Sequence, residues 1–333
     1  MQAIRATLLD HGGSVAALVT NTSDDQPPEI DELRGELADV MAAYQASRYG
    51  DMLMGLPEVL SAAHLTVARS DGDGDGWYDA QRVLALASQA AAMVLTKLGE
   101  LDLAWTAADR GFLAAQRSGD RAVLGSLCRS VVYTLQSHGR TDAATRLADK
   151  TADDLRRHLA PTSQHGASVY GTLLLAGAMA SARAGDRQGT DDYLEEADLY
   201  ARQVGRDANH LWTAFGPTNV AIHRVATSVA LGDMDAADRH TPGIDATRLP
   251  LERRVRYAFD LARIRIERRE IDRAVDAMLT AERLAPEQVH HHLMGREIVA
   301  DLRHQTREER SAELTQLAQR VQAADYMALG SAR

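Results

Sequence analysis

Apolar positions along this chain fall into successive amphipathic stretches of helical spacing, many of which end in a Gly-Asp or similar turn. A second helical stretch rich in small residues follows each turn. The unit recurs at RYGD (Arg48 to Asp51), KLGELDLAW (from Lys97), SHGRTDAA (from Ser137), RAGD (Arg183 to Asp186) and ALGDMDAA (from Ala230). Its turn glycines are Gly50, Gly99, Gly139, Gly185 and Gly232, 40 to 49 residues apart. Glycine suits a helix C-terminus because the left-handed cap costs it nothing, and the Asp that often follows suits the next N-terminus. A sixth unit, RREIDRAVDAMLTAERLAP, carries Arg269 in place of the glycine. The pattern predicts an all-α solenoid of about six helix pairs forming a superhelix; a non-repetitive helical bundle with chance turns is the other reading.

The predicted organisation has three parts. Residues 1–29 hold a short helix over Gln2 to Asp10 and a polar, proline-bearing connector at Asn21 to Glu29. Residues 30–306 form the repeat array, interrupted by polar breaks at Ser70 to Asp79 and Thr241 to Pro250. Residues 307–333 form a capping helix and tail, with apolar Leu314, Leu317, Val321 and Met327 on the helix.

Composition narrows the classes. The 333 residues carry a formal charge of −10, with 45% hydrophobic and 25% charged, enough to bury a core and too apolar for wholesale disorder. Eight prolines and 5% aromatics argue against an all-β fold. No run approaches the ~20 apolar residues that span a bilayer, and Asp10, His11, Gly12 and Gly13 interrupt the start where a secretory peptide would be apolar. A cytoplasmic protein without membrane contact is expected. Cys128, the lone cysteine, excludes an intramolecular disulfide or cysteine metal cluster. Basic residues are almost all arginine, with lysine only at 97 and 150.

Candidate chemistry is sparse. Asp71-Gly72-Asp73-Gly74-Asp75-Gly76 copies the opening of a calcium-binding loop, but the twelfth position, which needs a bidentate acid, is Arg82. His290-His291-His292 cannot close on one metal ion from a helix, because successive side chains point about 100° apart. No phosphate-cradling glycine loop and no nucleophile elbow is present, and no acid and base pair stands out among the carboxylates. An enzyme is not expected, and no cofactor. Arg248 to Arg273 holds nine arginines against five acids, a stripe that could meet phosphate or be consumed in ion pairs.

The most informative stretch is WTAFGPTNVAIHRVATSVALGD, Trp212 to Asp233. Gly216-Pro217 reads as a helix start, with Ile222, Val225, Ala226 and Val229 on the core face. Asn219 and His223 share a stripe bordering that face, with Trp212 and Phe215 just upstream. In helical repeats the first helix of each pair lines the concave side, so these four residues are candidate ligand contacts. The alternative is that Trp212 and Phe215 pack the connector while Asn219 and His223 satisfy neighbouring backbone.

Ala274, Ala281 and Pro286 in the sixth unit resemble the second-helix pattern of the tetratricopeptide repeat, echoed by Ala104 with Gly111 and by Thr190 with Ala197. More broadly, Lys97 to Asp120, WTAFGPTNVAIHRV at Trp212 to Val225, and Arg273 to Glu297 resemble the tetratricopeptide-like C-terminal half of actinobacterial Xre-type helix-turn-helix transcriptional regulators, over roughly Asp31 to Asp301. The resemblance implies a sensor array; the expected ligand is a peptide, small molecule or protein in the concave groove, and the expected response is a shift in superhelix pitch or self-association to a homodimer. The family's DNA-reading domain is missing from this chain, so direct DNA binding is not expected, in keeping with the charge of −10. A stand-alone protein-interaction scaffold with no small effector is the alternative.

Overall fold

The computed structural model describes residues 1–10, 26–70, 72, 74–160, 163–305 and 311–330. Within them lie sixteen α-helices and no strand, apart from one isolated bridge between Ala208 and Phe215. Helix α1 (Gln2–Asp10) precedes six hairpin pairs. These are α2 (Ile30–Gln45) with α3 (Tyr49–Arg69), α4 (Asp75–Leu98) with α5 (Leu101–Ser118), and α6 (Arg121–Ser137) with α7 (Thr141–His158). There follow α8 (Gln164–Arg183) with α9 (Arg187–Val204), α10 (Pro217–Ala230) with the short α11 (Met234–Arg239), and α12 (Leu251–Glu267) with α13 (Ile271–Leu284). Helices α14 (Pro286–His291), α15 (Leu293–Gln305) and α16 (Ser311–Gly330) complete the array. The fold is the all-α helical repeat solenoid expected from the turn pattern. None of the described helices is long and apolar enough to cross a membrane.

One backbone motif closes the first helix of every pair. The N–H of a left-handed residue donates three residues back and the next N–H donates five back, as Gly99 to Thr96 and Glu100 to Leu95. The same two bonds recur at Gly139, Gly185 and Gly232, and also at Ser47 and Arg269. The first turn corrects the sequence expectation, since Gly50 lies inside α3 and the left-handed residue is Ser47, at φ 58°. Ser47 is held there by tertiary contact, its hydroxyl donating to Gln288 Oε1 at 2.6 Å. Arg269 adopts φ 61°. Arg269→Gly should therefore raise stability by about 0.5–1 kcal/mol, the left-handed penalty less the chain entropy of glycine; chemical denaturation checks it, and an unchanged midpoint would mean the turn relaxes at no cost.

The second helices bury small residues seven apart, Ala104 with Gly111, Thr190 with Ala197 and Ala274 with Ala281, which lets neighbouring helices approach closely. Helix α1 is not a detached element. Ile4 and Leu8 are buried in the main core, Arg110 donates to the Leu8 carbonyl, and Arg5 pairs with Glu100 at 3.2 Å. Most of the Asn21 to Glu29 connector falls outside the described residues. At the far end α16 begins at Ser311 and buries Leu314, Leu317 and Val321 against the α12–α15 core.

Apolar packing divides into a long core from α1 to the start of α10, a second core over α12 to α16, and a small cluster joining α10, α11 and α12. Stacking of each repeat on its neighbours alone would leave the two ends of such an array apart. The array instead bends until the first pair meets the last, and the contacts that close it are polar. Ser47 bonds Gln288, Gly50 N–H donates to Glu287 at 2.7 Å, and Lys97 pairs with Glu252. Gln45 and Asn209 exchange amide hydrogen bonds at 2.9 and 3.0 Å, tying the first pair to the α9–α10 connector.

Candidate functional site

The closure shapes a half-open cavity of about 640 Å³ on the side formed by the first helices of the pairs. Met93, Thr96 and Lys97 reach it from α4, and Arg129, Ser130, Tyr133, Gln136 and Ser137 from α6, a three-to-four residue spacing that puts one helix face toward the space. Tyr44 of α2, Arg183 of α8 and the α12 residues Glu252, Arg253 and Arg263 add to the wall, and His292 to Met294 with Arg296 and Glu297 form its floor. Six cationic side chains thus face two carboxylates in a protein whose overall charge is −10.

Lys97 and Glu252 form the central ion pair, nearly shielded from water and with Arg253 Nε 3.5 Å from the other Glu252 oxygen. Burial would raise the Glu252 carboxyl, but Lys97 and Arg253 outweigh it and hold the group down to about 2. Burial lowers Lys97, offset in part by Glu252. Arg129 is 3% exposed, and among the described residues its guanidinium meets no carboxylate. Nη2 reaches the Met93 thioether at 3.8 Å and Nε has no hydrogen-bond partner. Burial and the nearby Arg253 charge both push Arg129 below its usual range.

Behind this wall His223 sits with its Nε2 3.4 Å from the Tyr133 hydroxyl and its Nδ1 2.8 Å from the Asn219 carbonyl. Burial first, then Arg253, lower it to about 3, so it folds as the neutral imidazole. His292, edge-on to the Phe259 ring, is lowered in the same way, by burial and then Lys97 and Arg256. The unfolded chain takes up these protons near pH 6.5 and the folded chain does not until far lower pH, so stability falls as the pH drops below about 6.5. Each histidine contributes a slope of about 1.4 kcal/mol per pH unit. Denaturant midpoints measured between neutral pH and pH 4 should fall steadily; a flat profile would show that both rings take up protons in the fold as readily as in the unfolded chain.

The four residues singled out from the sequence are close in space, but none lines the cavity. Helix α10 begins at Pro217 as read, and Asn219 and His223 do share a face. Both are buried, and the two Asn219 side-chain polar atoms have no hydrogen-bond partner. Phe215 is wholly buried, its ring filling the space over Gly171, where even a Cβ would overlap it. Trp212 is half-buried in the connector, where its carbonyl accepts from Gln45 Nε2 at 3.3 Å. The connector is bent sharply, with Leu211, Trp212 and Ala214 all left-handed. His223 reaches the wall through Tyr133.

Sequence reading missed Lys97, Arg129, Tyr133, Arg183 and Glu252. A signal existed, since Arg129 interrupts the apolar run of α6 and Lys97 is one of two lysines. The arginine stripe divides by helix face. Arg253 and Arg263 turn to the cavity, whereas Arg265 and Arg273 pair with Glu270, and Arg268 with Asp235 and Asp238.

Of the metal candidates, Asp71 and Asp73 lie outside the described residues, and Arg82 is occupied by Asp79 at 2.6 Å and Asp120 at 3.2 Å. His290 pairs with Glu282 at 2.7 Å, while the His292 ring accepts from Met294 N–H. No group of three metal-ligating side chains occurs among the described residues. Cys128 is buried and its thiol is pushed up to about 11, chiefly by burial. No family model matches the sequence, and no curated protein matches it either.

Proposed function

We propose that this chain is a non-catalytic regulatory repeat protein that senses a ligand or partner in its concave groove and so takes part in the control of transcription. The observation that supports the reading is the manner of closure. The cavity walls come from repeats far apart in the sequence, and polar links at Ser47–Gln288, Gly50–Glu287 and Lys97–Glu252 hold them together where the apolar cores do not run through. A ligand that competes for these polar groups can replace them where water alone does not, and so shift the population between closed and more open curvature. The change in outer surface would then be read by a second copy or by a separate DNA-reading protein in the cytoplasm.

The test is hydrogen exchange of the full chain with and without the small-molecule fraction of cell extract, joined to transcript profiles of cells carrying Leu293→Trp. Leu293 lines the cavity and is half exposed, so a larger ring fills space without entering the core. Altered protection in α2, α4, α12 and α14 together with a changed transcript profile is expected. Unchanged exchange and unchanged transcripts would overturn the reading. A protein scaffold with no small effector is the second reading, favoured by an open groove along α12 and α13 lined by Val255, Ala258, Leu261, Ala277 and Leu284. It predicts normal transcripts in the Leu293→Trp cells.

A further inference from the structure

Arg129 poses a problem that the packing does not solve. An ionised guanidinium withdrawn from water is costly unless matched by charge and hydrogen bonds. A residue of similar length such as Met would fill the same space without that cost, and Met93 already lies against the side chain. Yet α6 presents Arg129 at a cavity wall beside Ser130, whose hydroxyl oxygen also has no hydrogen-bond partner. Arg183 and Arg263 line the same space, and neither pairs with a carboxylate among the described residues. Arg183 feels the positive charges of Arg256 and Arg263 beside the negative charge of Asp260, Arg129 feels Arg253 beside Glu252, and Arg253 is hydrogen-bonded to Tyr133. Glu252 is already committed to Lys97.

We propose that this cavity binds a small organic phosphate monoester, with the phosphoryl group against Arg129 and Ser130 and the organic part among Met93, Leu101, Leu293 and Met294. The inference rests on the reading of the groove as a ligand site. Charge selects the class. At neutral pH a phosphate monoester carries about −1.5 to −2, whereas a lone carboxylate leaves most of the unmatched guanidinium charge uncompensated. Geometry agrees, because the planar guanidinium fork presents parallel N–H groups at the spacing of phosphate oxygens, and hydroxyl donors such as Ser130 and Tyr133 can complete the shell. The volume falls within the 300–1,000 Å³ of small-molecule sites, so it admits an organic group beyond the phosphate, and the apolar side chains give that group a surface to cover.

The experiment uses phenyl phosphate as probe, with inorganic phosphate, succinate and phenol as comparison arms, on the full chain at neutral pH and low salt, read by calorimetry and thermal unfolding. Phenyl phosphate should bind and raise the melting temperature, inorganic phosphate should bind more weakly, and phenol should not bind. Arg129→Met should lose at least about tenfold in affinity while melting no lower than wild type, because a buried unmatched charge has been removed. Arg183→Gln, at an exposed rim position, should weaken binding in the same direction and serves where Arg129→Met fails to fold. Silence with phenyl phosphate at millimolar concentration, or undiminished binding by a folded Arg129→Met, would overturn the proposal. Equal affinity for inorganic phosphate would overturn the organic ester, and preference for succinate would overturn the phosphoryl group. If phenyl phosphate is silent but cell extract still alters exchange at the groove, the phosphate proposal fails and the sensor reading stands; if both are silent and the Leu293→Trp transcripts are unchanged, both fail.

Discussion

Replacing Glu252 by alanine should cost about 3–5 kcal/mol, because it leaves Lys97 buried without its counter-charge and removes the nearest acid from Arg253. The two side chains are 14% and 4% exposed, so water cannot take over the role of the lost carboxylate. The attraction within the pair and the desolvation of each partner oppose one another, and breaking the pair forfeits the first while keeping half of the second. Glu252→Ala/Lys97→Met should therefore recover most of the loss, since no isolated charge remains. Chemical denaturation of the two singles and the double decides this. A Glu252→Ala protein as stable as wild type would mean that Lys97 reaches solvent and that the closure does not depend on the pair. The same carboxylate has a pH signature. Its folded value near 2 lies below the ordinary 4.5, so its contribution is fully present above about pH 4.5 and is lost as the pH falls toward 2.

Phe215→Ala should destabilise the protein by a comparable amount, about 3–5 kcal/mol, the cost of emptying a fully buried aromatic site whose surroundings relax only partly. The ring belongs to the long core and covers Gly171 of α8, so the backbone of α8 has approached as closely as a glycine permits. A groove-facing aromatic would behave differently, since truncation of a surface contact changes stability by less than about 0.5 kcal/mol. Thermal and denaturant unfolding of the single variant separates the two positions, and a melting curve superimposable on wild type would return Phe215 to the surface. The loss should be read in the unfolding of the α1–α10 core, with the α12–α16 core less affected, because apolar packing does not run continuously between them.

How far the site was legible depends on the range of the interactions that make it. The FGPT segment draws attention because aromatic residues before a Pro217 helix start are locally unusual, and the helix does start there. What the segment does is another matter. Phe215 is a core residue because α8 offers Gly171 at the right height, 44 positions earlier, and periodicity within α10 carries no trace of that. Asn219 and His223 do share a stripe, but both are buried, and His223 lies 3.4 Å from the Tyr133 hydroxyl.

By itself the sequence determined what short-range physics sets: that the chain is helical, that left-handed glycines at 99, 139, 185 and 232 end the first helix of four pairs, and that small residues on the second helices allow close stacking. Even the two turns without glycine repeat the same hydrogen bonds, though Ser47 needs Gln288, 241 positions away, to hold its place. The tertiary structure alone decided how far the array curves, so that its ends meet. Each repeat adds a small rotation fixed by how its side chains interlock with the next, and the sum over six pairs brings Lys97 to Glu252 and the first pair to α14. Rotations accumulate across the whole array while sequence periodicity reports on one helix at a time. The cationic cavity, assembled from α4, α6, α8 and α12, exists only because that accumulated bend closes.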